Sequence, residues 1–279
     1  MIVQVNREKL QSPSQLQHCL GFVLDSVNLK IKFDENKLHE IRWLLDTLDD
    51  EVEIRVLAKI IGKLLALAPA CSMKFSTFLA RSARFVLSLV NMDQDWPDWD
   101  RKCTISYEVT KELEWVYSRL KKWNGRDIAE KTGVVYHYQL EEDQTTAEMY
   151  AGDATVDCGV VYNIYDKKRF RSILFPVHIR MLSSSHKELY TILAILRGPK
   201  APSSTKLVYI TDNRNVSNWI NSGTIREKPA SILREIYIIC HRRNLSLTAA
   251  WCPRSNDLIK TADLTIRLST DGKLINNDK

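Results

Sequence analysis

From residue 146 onward the period of the apolar residues constrains the fold most. Glu148-Met-Tyr-Ala-Gly-Asp153, Val160-Val-Tyr-Asn-Ile-Tyr165 and Arg169-Phe-Arg-Ser-Ile-Leu-Phe175 are three strand-like segments with short breaks. A helical period follows over about 184–196, then a strand over Lys206-Leu-Val-Tyr-Ile-Thr211. Two helices come next, divided near Gly223, with Pro229 suited to the first turn of the second. A fifth strand over Leu245–Trp251 and a last helix over about 260–268 complete the order βββαβααβα. That order of strands and helices is read as an α/β domain, so residues 146–270 are expected to form a mixed five-stranded sheet with flanking helices.

The preceding residues have a different texture. Leu20–Asp25 and Leu29–Phe33 read as a β-hairpin around Ser26-Val-Asn28. Asp34 is placed to cap a helix with Leu38, Ile41, Leu45 and Leu48 on its apolar face. A second helix carries Leu57, Ile61, Leu64, Leu65 and Ala68 up to Pro69, and a third runs from about Lys74 with Arg81 and Arg84 outward. A fourth follows Ser106, with Leu113, Val116 and Leu120 inward, and stops at Asn124-Gly125. The expected organisation is a mostly helical domain over 1–125, a polar linker over 126–145, the α/β domain over 146–270 and a tail over 271–279.

The chain of 279 residues carries 40 Lys+Arg against 34 Asp+Glu, a formal charge of +6 that favours a polyanionic partner without requiring one. Six scattered cysteines (Cys19, Cys71, Cys103, Cys158, Cys240 and Cys252) have neither C-x-x-C nor zinc-ligand spacing and read as buried thiols of a reducing compartment. No apolar run reaches the roughly 20 residues a membrane span needs, and residues 1–30 lack the core of a signal peptide. The expectation is a cytoplasmic or nuclear protein without a membrane partner.

Four carboxylates recur at telling places. Asp153 closes the first strand of the α/β domain, Glu188 lies one turn into the helix opened by Ser183-Ser-Ser, Asp212 ends the fourth strand, and Asp263 lies in the last helix. If the first and fourth strands are parallel neighbours, the two aspartates meet at their C-terminal ends and the helices can bring in the others. Carboxylates ~5 Å apart repel by roughly 3 kcal/mol per pair at an effective dielectric of 20. Hard oxygen donors in such a cluster suit Mg2+ or Mn2+, and two such ions about 4 Å apart can drive phosphodiester hydrolysis.

Gly152-Asp-Ala154, Ser183-Ser-Ser-His-Lys-Glu188-Leu, Thr211-Asp-Asn-Arg-Asn-Val216 through Gly223, and Trp251-Cys-Pro-Arg254 with Ile259-Lys-Thr-Ala-Asp263 form an ordered set. Together they resemble the type 1 ribonuclease H domain of retroelement polyproteins, in particular DIRS-like elements of the tyrosine-recombinase kind. The resemblance implies a ribonuclease-H-like fold and an endonuclease that cuts the RNA strand of RNA–DNA hybrids. It implies two Mg2+ (or Mn2+) held by Asp153, Glu188, Asp212 and Asp263, with Asp153 bridging both. Asn213, Ser184, Ser185 and Arg254 are the implied nucleic-acid contacts. Leu20–Asp25, Lys37, Ile61-Gly-Lys-Leu64, Trp99-Asp100 and Glu112-Leu-Glu-Trp115 through Trp123-Asn-Gly125 resemble the thumb and connection that follow a polymerase palm. The chain has no Tyr/Phe-x-Asp-Asp signature, so polymerase activity is absent from it and a palm would belong to another chain.

The chain departs from that pattern in two places: Leu264-Thr-Ile-Arg267 stands where the family has two residues and Ser-Arg, and no histidine lies between Trp251 and Asp263. The alternative reading is a domesticated or truncated remnant that binds nucleic acid without cutting it. Asp157 and Asp257 are read as solvated loop residues and His186 as a surface residue. Lys167-Lys-Arg169 and His241-Arg-Arg243 are basic clusters that either track phosphates or are simply solvated. Trp96, Trp99, Trp115 and Trp123 are read as a small packing core.

Overall fold

The computed structural model describes residues 14–71, 74–90, 98–128, 134–140, 147–166, 170–198, 206–224 and 226–270. They divide into two compact units, one within residues 1–75 and 81–130, the other within 76–80 and 131–279. The Lys167-Lys-Arg169 cluster, Trp96 and the tail over 271–279 lie outside the described residues.

The first unit opens with a meander of β1 (Leu16–Cys19), β2 (Phe22–Asp25) and β3 (Lys30–Phe33). Leu20 and Gly21, expected to begin a strand, are instead the two-residue turn between β1 and β2. Both have positive φ (49° and 79°), the twist that a tight hairpin needs. Asp25 is buried because Lys32 Nζ at 2.7 Å and both the amide and side chain of Asn28 at 2.9 Å satisfy its carboxylate; they hold its pKa well below the usual range.

Next come α1 (Asn36–Asp46), β4 (Glu51–Glu53), α2 (Ile54–Ala66), α3 (Ala80–Leu89), β5 (Lys102–Thr104), α4 (Tyr107–Trp123) and β6 (Arg126–Asp127). On α1 the buried face is Leu38, Ile41 and Leu44; Leu45 is only half-buried, and Leu48 lies beyond the helix end. Helix α2 buries Ile54, Leu57, Ile60, Ile61 and Leu64, and α4 buries Val109, Leu113, Val116, Leu120 and Trp123 at three- and four-residue spacing. Trp115 meets Trp123 edge to face at 5.7 Å and is covered by the Arg119 guanidinium at 4.0 Å, so these two rings pack on each other. After α4, the Asn124 side chain accepts from the Phe33 amide at 2.9 Å and donates to its carbonyl at 3.0 Å, a ladder pair made by a side chain.

The second unit is built on six strands: β7 (Val135–Tyr136), β8 (Glu148–Ala154), β9 (Cys158–Asn163), β10 (Phe170–Leu174), β11 (Lys206–Thr211) and β12 (Ser246–Trp251). Their order is β10-β9-β8-β11-β12-β7, antiparallel across β10, β9 and β8 and parallel from β8 to β7. Five of these are the expected strands. The sixth comes from the stretch expected as linker, where Val135 and Tyr136 pair with Ala250 and Trp251. The helices are α5 (Val177–Arg180), α6 (Ser184–Arg197), α7 (Arg214–Ser222), α8 (Glu227–Arg242) and α9 (Asp257–Thr270).

Strand alternation assigns the sheet faces. Ala151, Val208, Ile210 and Ala250 share one buried cluster with Ile259 and Ala262 of α9. The intervening residues point to the other face, against which α6 packs. The closest approach there is at Gly159, where a Cβ would lie 2.0 Å from Thr191 Oγ1 of α6. Five of the six cysteines are buried and all six are free thiols; Cys19 is exposed, contrary to expectation. Among the described residues, no helix is long and apolar enough to cross a membrane.

Candidate metal centre

The parallel pairing of β8 with β11 builds the site. It runs from Leu207↔Glu148 to Ile210↔Ala151. Two residues further in that register, Asp153 stands opposite Asp212, just where the ladder opens at the C-terminal ends of the two strands. Both aspartates continue the α9 side of the sheet, while Tyr209 and Thr211 point to the α6 side. Glu188, the fifth residue of α6, reaches the same edge from that side. One carboxylate oxygen from each of Asp153, Glu188 and Asp212 lies within 4.8 Å of the others.

Glu188 is 3 % exposed and held by two donors. Thr211 Oγ1 donates to Oε2 at 2.5 Å, and Asn213 Nδ2 donates to Oε1 at 3.0 Å. Burial, with smaller contributions from the neighbouring Asp212 and Asp153, raises the Glu188 pKa to about 8 against the lowering effect of these two bonds. Asp153 is likewise raised, first by burial and then by the charges of Asp212 and Asp263, although its Oδ1 accepts from the Ala154 amide at 2.7 Å. Asp212 Oδ2 accepts from Arg254 Nε at 2.8 Å, and its backbone carbonyl accepts from Trp251 Nε1 at 2.9 Å.

The fourth expected carboxylate stands apart. Asp263, in α9, pairs with Arg267 at 2.8 Å one turn later and is 42 % exposed, although its charge is felt by Asp153 and Arg254.

The expected nucleic-acid contacts divide in the same way. The Asn213 side chain caps α7 by accepting from the Asn215 and Val216 amides, and its Nδ2 serves Glu188 and, at 2.8 Å, Ser185 Oγ. Ser185 is itself buried. Ser184, at the start of α6, and Arg254 remain exposed to solvent.

Asp157 is exposed in the β8–β9 turn, 3.4 Å from Arg180, and His241, Arg242 and Arg243 form an exposed helix end. Asp257 opens α9 rather than lying in a loop, with its side chain exposed. His186 departs from its expected surface role: Nδ1 lies 2.6 Å from Ser183 Oγ, the ring packs 5.8 Å from Trp219, and Nε2 is buried without a partner. Burial lowers its pKa.

Two residues of the site were not singled out in the sequence. Thr211 enters the sequence reading as a strand end and as the first residue of the Thr211–Val216 block, with no role of its own, yet alternation from the buried Tyr209 places it toward α6 and Glu188. Tyr209 is 2 % exposed and its hydroxyl has no hydrogen-bond partner. That hydroxyl fills the space beside Gly152, where a Cβ would lie 2.6 Å from it, and burial beside Glu188, Asp153 and Asp212 pushes its pKa well up. Gly152 therefore precedes Asp153 because a tyrosine from the next strand occupies its side-chain position.

Three oxygen donors converging on one point, one of them a buried carboxylate held close to neutrality, suit a divalent cation. The cation would replace the proton on Glu188 and offset the repulsion between Asp153 and Asp212. Arg254 offsets part of that charge from the solvent side.

No family model matches the chain, and no curated protein matches it. Among solved structures, it is similar to a foamy viral protease-reverse transcriptase dRH in complex with double-stranded DNA, at 13% identity and a TM-score of 0.32. That match covers 84% of this chain and 37% of the other. A second foamy viral protease-reverse transcriptase complex with double-stranded DNA matches at 14% identity and a TM-score of 0.33, covering 71% of this chain and 37% of the other. The chain thus spans little more than a third of the length of either.

Proposed function

We propose that the second unit is a metal-dependent nuclease of the ribonuclease H type, which hydrolyses the RNA strand of RNA–DNA hybrids as part of a retroelement polyprotein. The observation that carries this reading is the convergence of Asp153, Glu188 and Asp212 within 4.8 Å at the opening of a parallel strand pair. Asp153, Glu188 and Asp212 would hold Mg2+ or Mn2+, with Asp263 approaching from α9 when its pairing with Arg267 is released. When bound, the ions supply an activated water and stabilisation of the departing 3′ oxygen. The chain's own residues provide the orientation. Thr211 and Asn213 fix Glu188, the β8–β11 register fixes the two aspartates, and Arg254 and the exposed Ser184 at the start of α6 are available to phosphates. The helical first unit would position the duplex, and a polymerase palm would come from elsewhere.

The test is cleavage of an RNA-labelled hybrid in Mg2+ by the whole chain and by Asp153→Asn. Cleavage by the wild type and a loss of at least about 100-fold in the variant is the expected result. No cleavage by either, or equal cleavage by both, overturns the proposal.

A second reading rests on one observation: Asp263 is engaged by Arg267 and stands outside the group of three. Under it the chain is a remnant that binds nucleic acid without cutting. Hybrid binding by the wild type without Mg2+-dependent cleavage is the outcome that favours it.

A further inference from the structure

Beside the carboxylates lies a row of aromatic rings that the metal centre does not use. Trp251, at the end of β12, donates from Nε1 to the Asp212 carbonyl at 2.9 Å, so its indole is fixed against the site. Tyr136, its partner in β7, meets it at 5.4 Å with the rings nearly perpendicular. Tyr138 then stacks on Tyr136 at 5.4 Å with planes 22° apart, yet remains 71 % exposed. At the inner end, the exposed Arg214 lies over the Trp251 ring at 4.4 Å, and Arg254 pairs with Asp212. The row therefore runs from two guanidinium groups at the metal centre to an uncovered phenol ring at the edge of the sheet.

A ring that stacks on another and keeps most of its surface in water adds little to a core. A flat aromatic surface next to cations matches the chemistry of a polynucleotide strand, whose bases offer π-faces and whose phosphates offer negative charge. We infer that Tyr138, backed by Tyr136 and Trp251, is a stacking shelf for an unpaired nucleotide in the strand that leads into the carboxylate site, with Arg214 and Arg254 meeting its phosphates. This rests on the reading of the carboxylate site as one that acts on nucleic acid, and it extends the substrate from a plain hybrid to a hybrid with a single-stranded extension. An unpaired base is required because bases inside a duplex have their faces already covered by their neighbours.

The experiment uses the whole chain and short RNA–DNA hybrids, either blunt or with an unpaired extension carrying a fluorescent adenine analogue. Ca2+ replaces Mg2+ so that binding is read apart from cleavage. The wild type is expected to bind the extended hybrid roughly 5- to 100-fold more tightly than the blunt one, the contribution of one stacked base, and to quench the analogue. Tyr138→Ala, at an exposed position, should lose most of that preference and keep its affinity for the blunt hybrid, while Tyr138→Phe keeps the preference. Equal binding of the two hybrids by the wild type, or an undiminished preference in Tyr138→Ala, overturns the inference. A Tyr138-dependent preference in a protein that does not cleave in Mg2+ supports the shelf and overturns only the nuclease. Failure to bind either hybrid overturns the shelf.

Discussion

Glu188 Oε2 lies 2.5 Å from Thr211 Oγ1, so the strand that leads into Asp212 also aims the carboxylate carried by α6. That contact orients a group whose ionisation burial opposes, which gives the metal-free protein a definite pH dependence. Glu188 titrates at about 8 in the folded chain against an ordinary value of 4.5, so between these values the folded state binds the extra proton. The Glu188 contribution to stability is therefore full below about pH 4.5, falls as pH rises through this window, and levels off above it, by a few kcal/mol (order of magnitude) in total. Asp153, raised in the same direction, contributes a fall of the same sign. Chemical denaturation in EDTA at pH 5, 7 and 9 should follow this slope, and Glu188→Gln should remove most of it. A slope unchanged in Glu188→Gln would show that other groups cause it.

Tyr209 gives a prediction of opposite character. Its hydroxyl is fully desolvated without a partner, a condition that costs about 1–3 kcal/mol, whereas its ring is part of the packed face under α6. Tyr209→Phe keeps the ring and removes the unpaired group. Thermal unfolding in EDTA should show the variant more stable than wild type by about 1 kcal/mol. A destabilised variant would mean that the hydroxyl has a partner in solution.

Gly159 concerns the seat of α6 itself. An alanine Cβ there would meet Thr191 Oγ1 at 2.0 Å, Cγ2 at 2.8 Å and Cβ at 2.9 Å, and the fully buried Thr191 has nowhere to move. Gly159→Ala should cost about 2–3 kcal/mol by overpacking. Because the helix carries Glu188, divalent-metal affinity should weaken along with it. Adding Thr191→Ala removes the first two clashes and should restore at least half of the lost stability. If the two substitutions instead simply add, the close approach is not what requires a glycine.

Much of this architecture is legible in the sequence because burial leaves a period. All five longer strands of the second unit and the helices on Leu113, Val116 and Leu120 or on Leu189, Ile192 and Leu193 follow from spacing alone. The convergence of Asp153 with Asp212 follows once β8 and β11 are taken as parallel neighbours. What the sequence leaves hidden is short or depends on partners distant along the chain. Val135–Tyr136 is too brief for an alternation, and only Trp251 opposite reveals it as a strand. The roles of Thr211 and Tyr209 depend on which sheet face α6 covers. Spacing places Asp263 and Arg267 one helical turn apart but does not show that the two pair and leave Asp263 outside the group of three.

Asn213 separates a structural role from a contact role most cleanly. Its oxygen caps α7 and its amide nitrogen serves Glu188 and Ser185, so every polar atom of the side chain is engaged within the fold. Asn213→Ala removes the cap, worth about 1 kcal/mol, and a hydrogen bond to a buried carboxyl group, for a combined loss of about 2–4 kcal/mol that grows as Glu188 ionises, since the bond favours the carboxylate. Asn213→Asp keeps the cap and favours the positive end of the helix, but places a second carboxylate about 3 Å from Glu188 Oε1. At pH 5, where Glu188 keeps its proton, the aspartate variant should be more stable than the alanine variant. At pH 9 in EDTA the order should reverse, because the two carboxylates then face each other ionised. Thermal unfolding of the three proteins at both pH values decides the matter: an asparagine that served only a bound nucleic acid would leave both variants as stable as wild type.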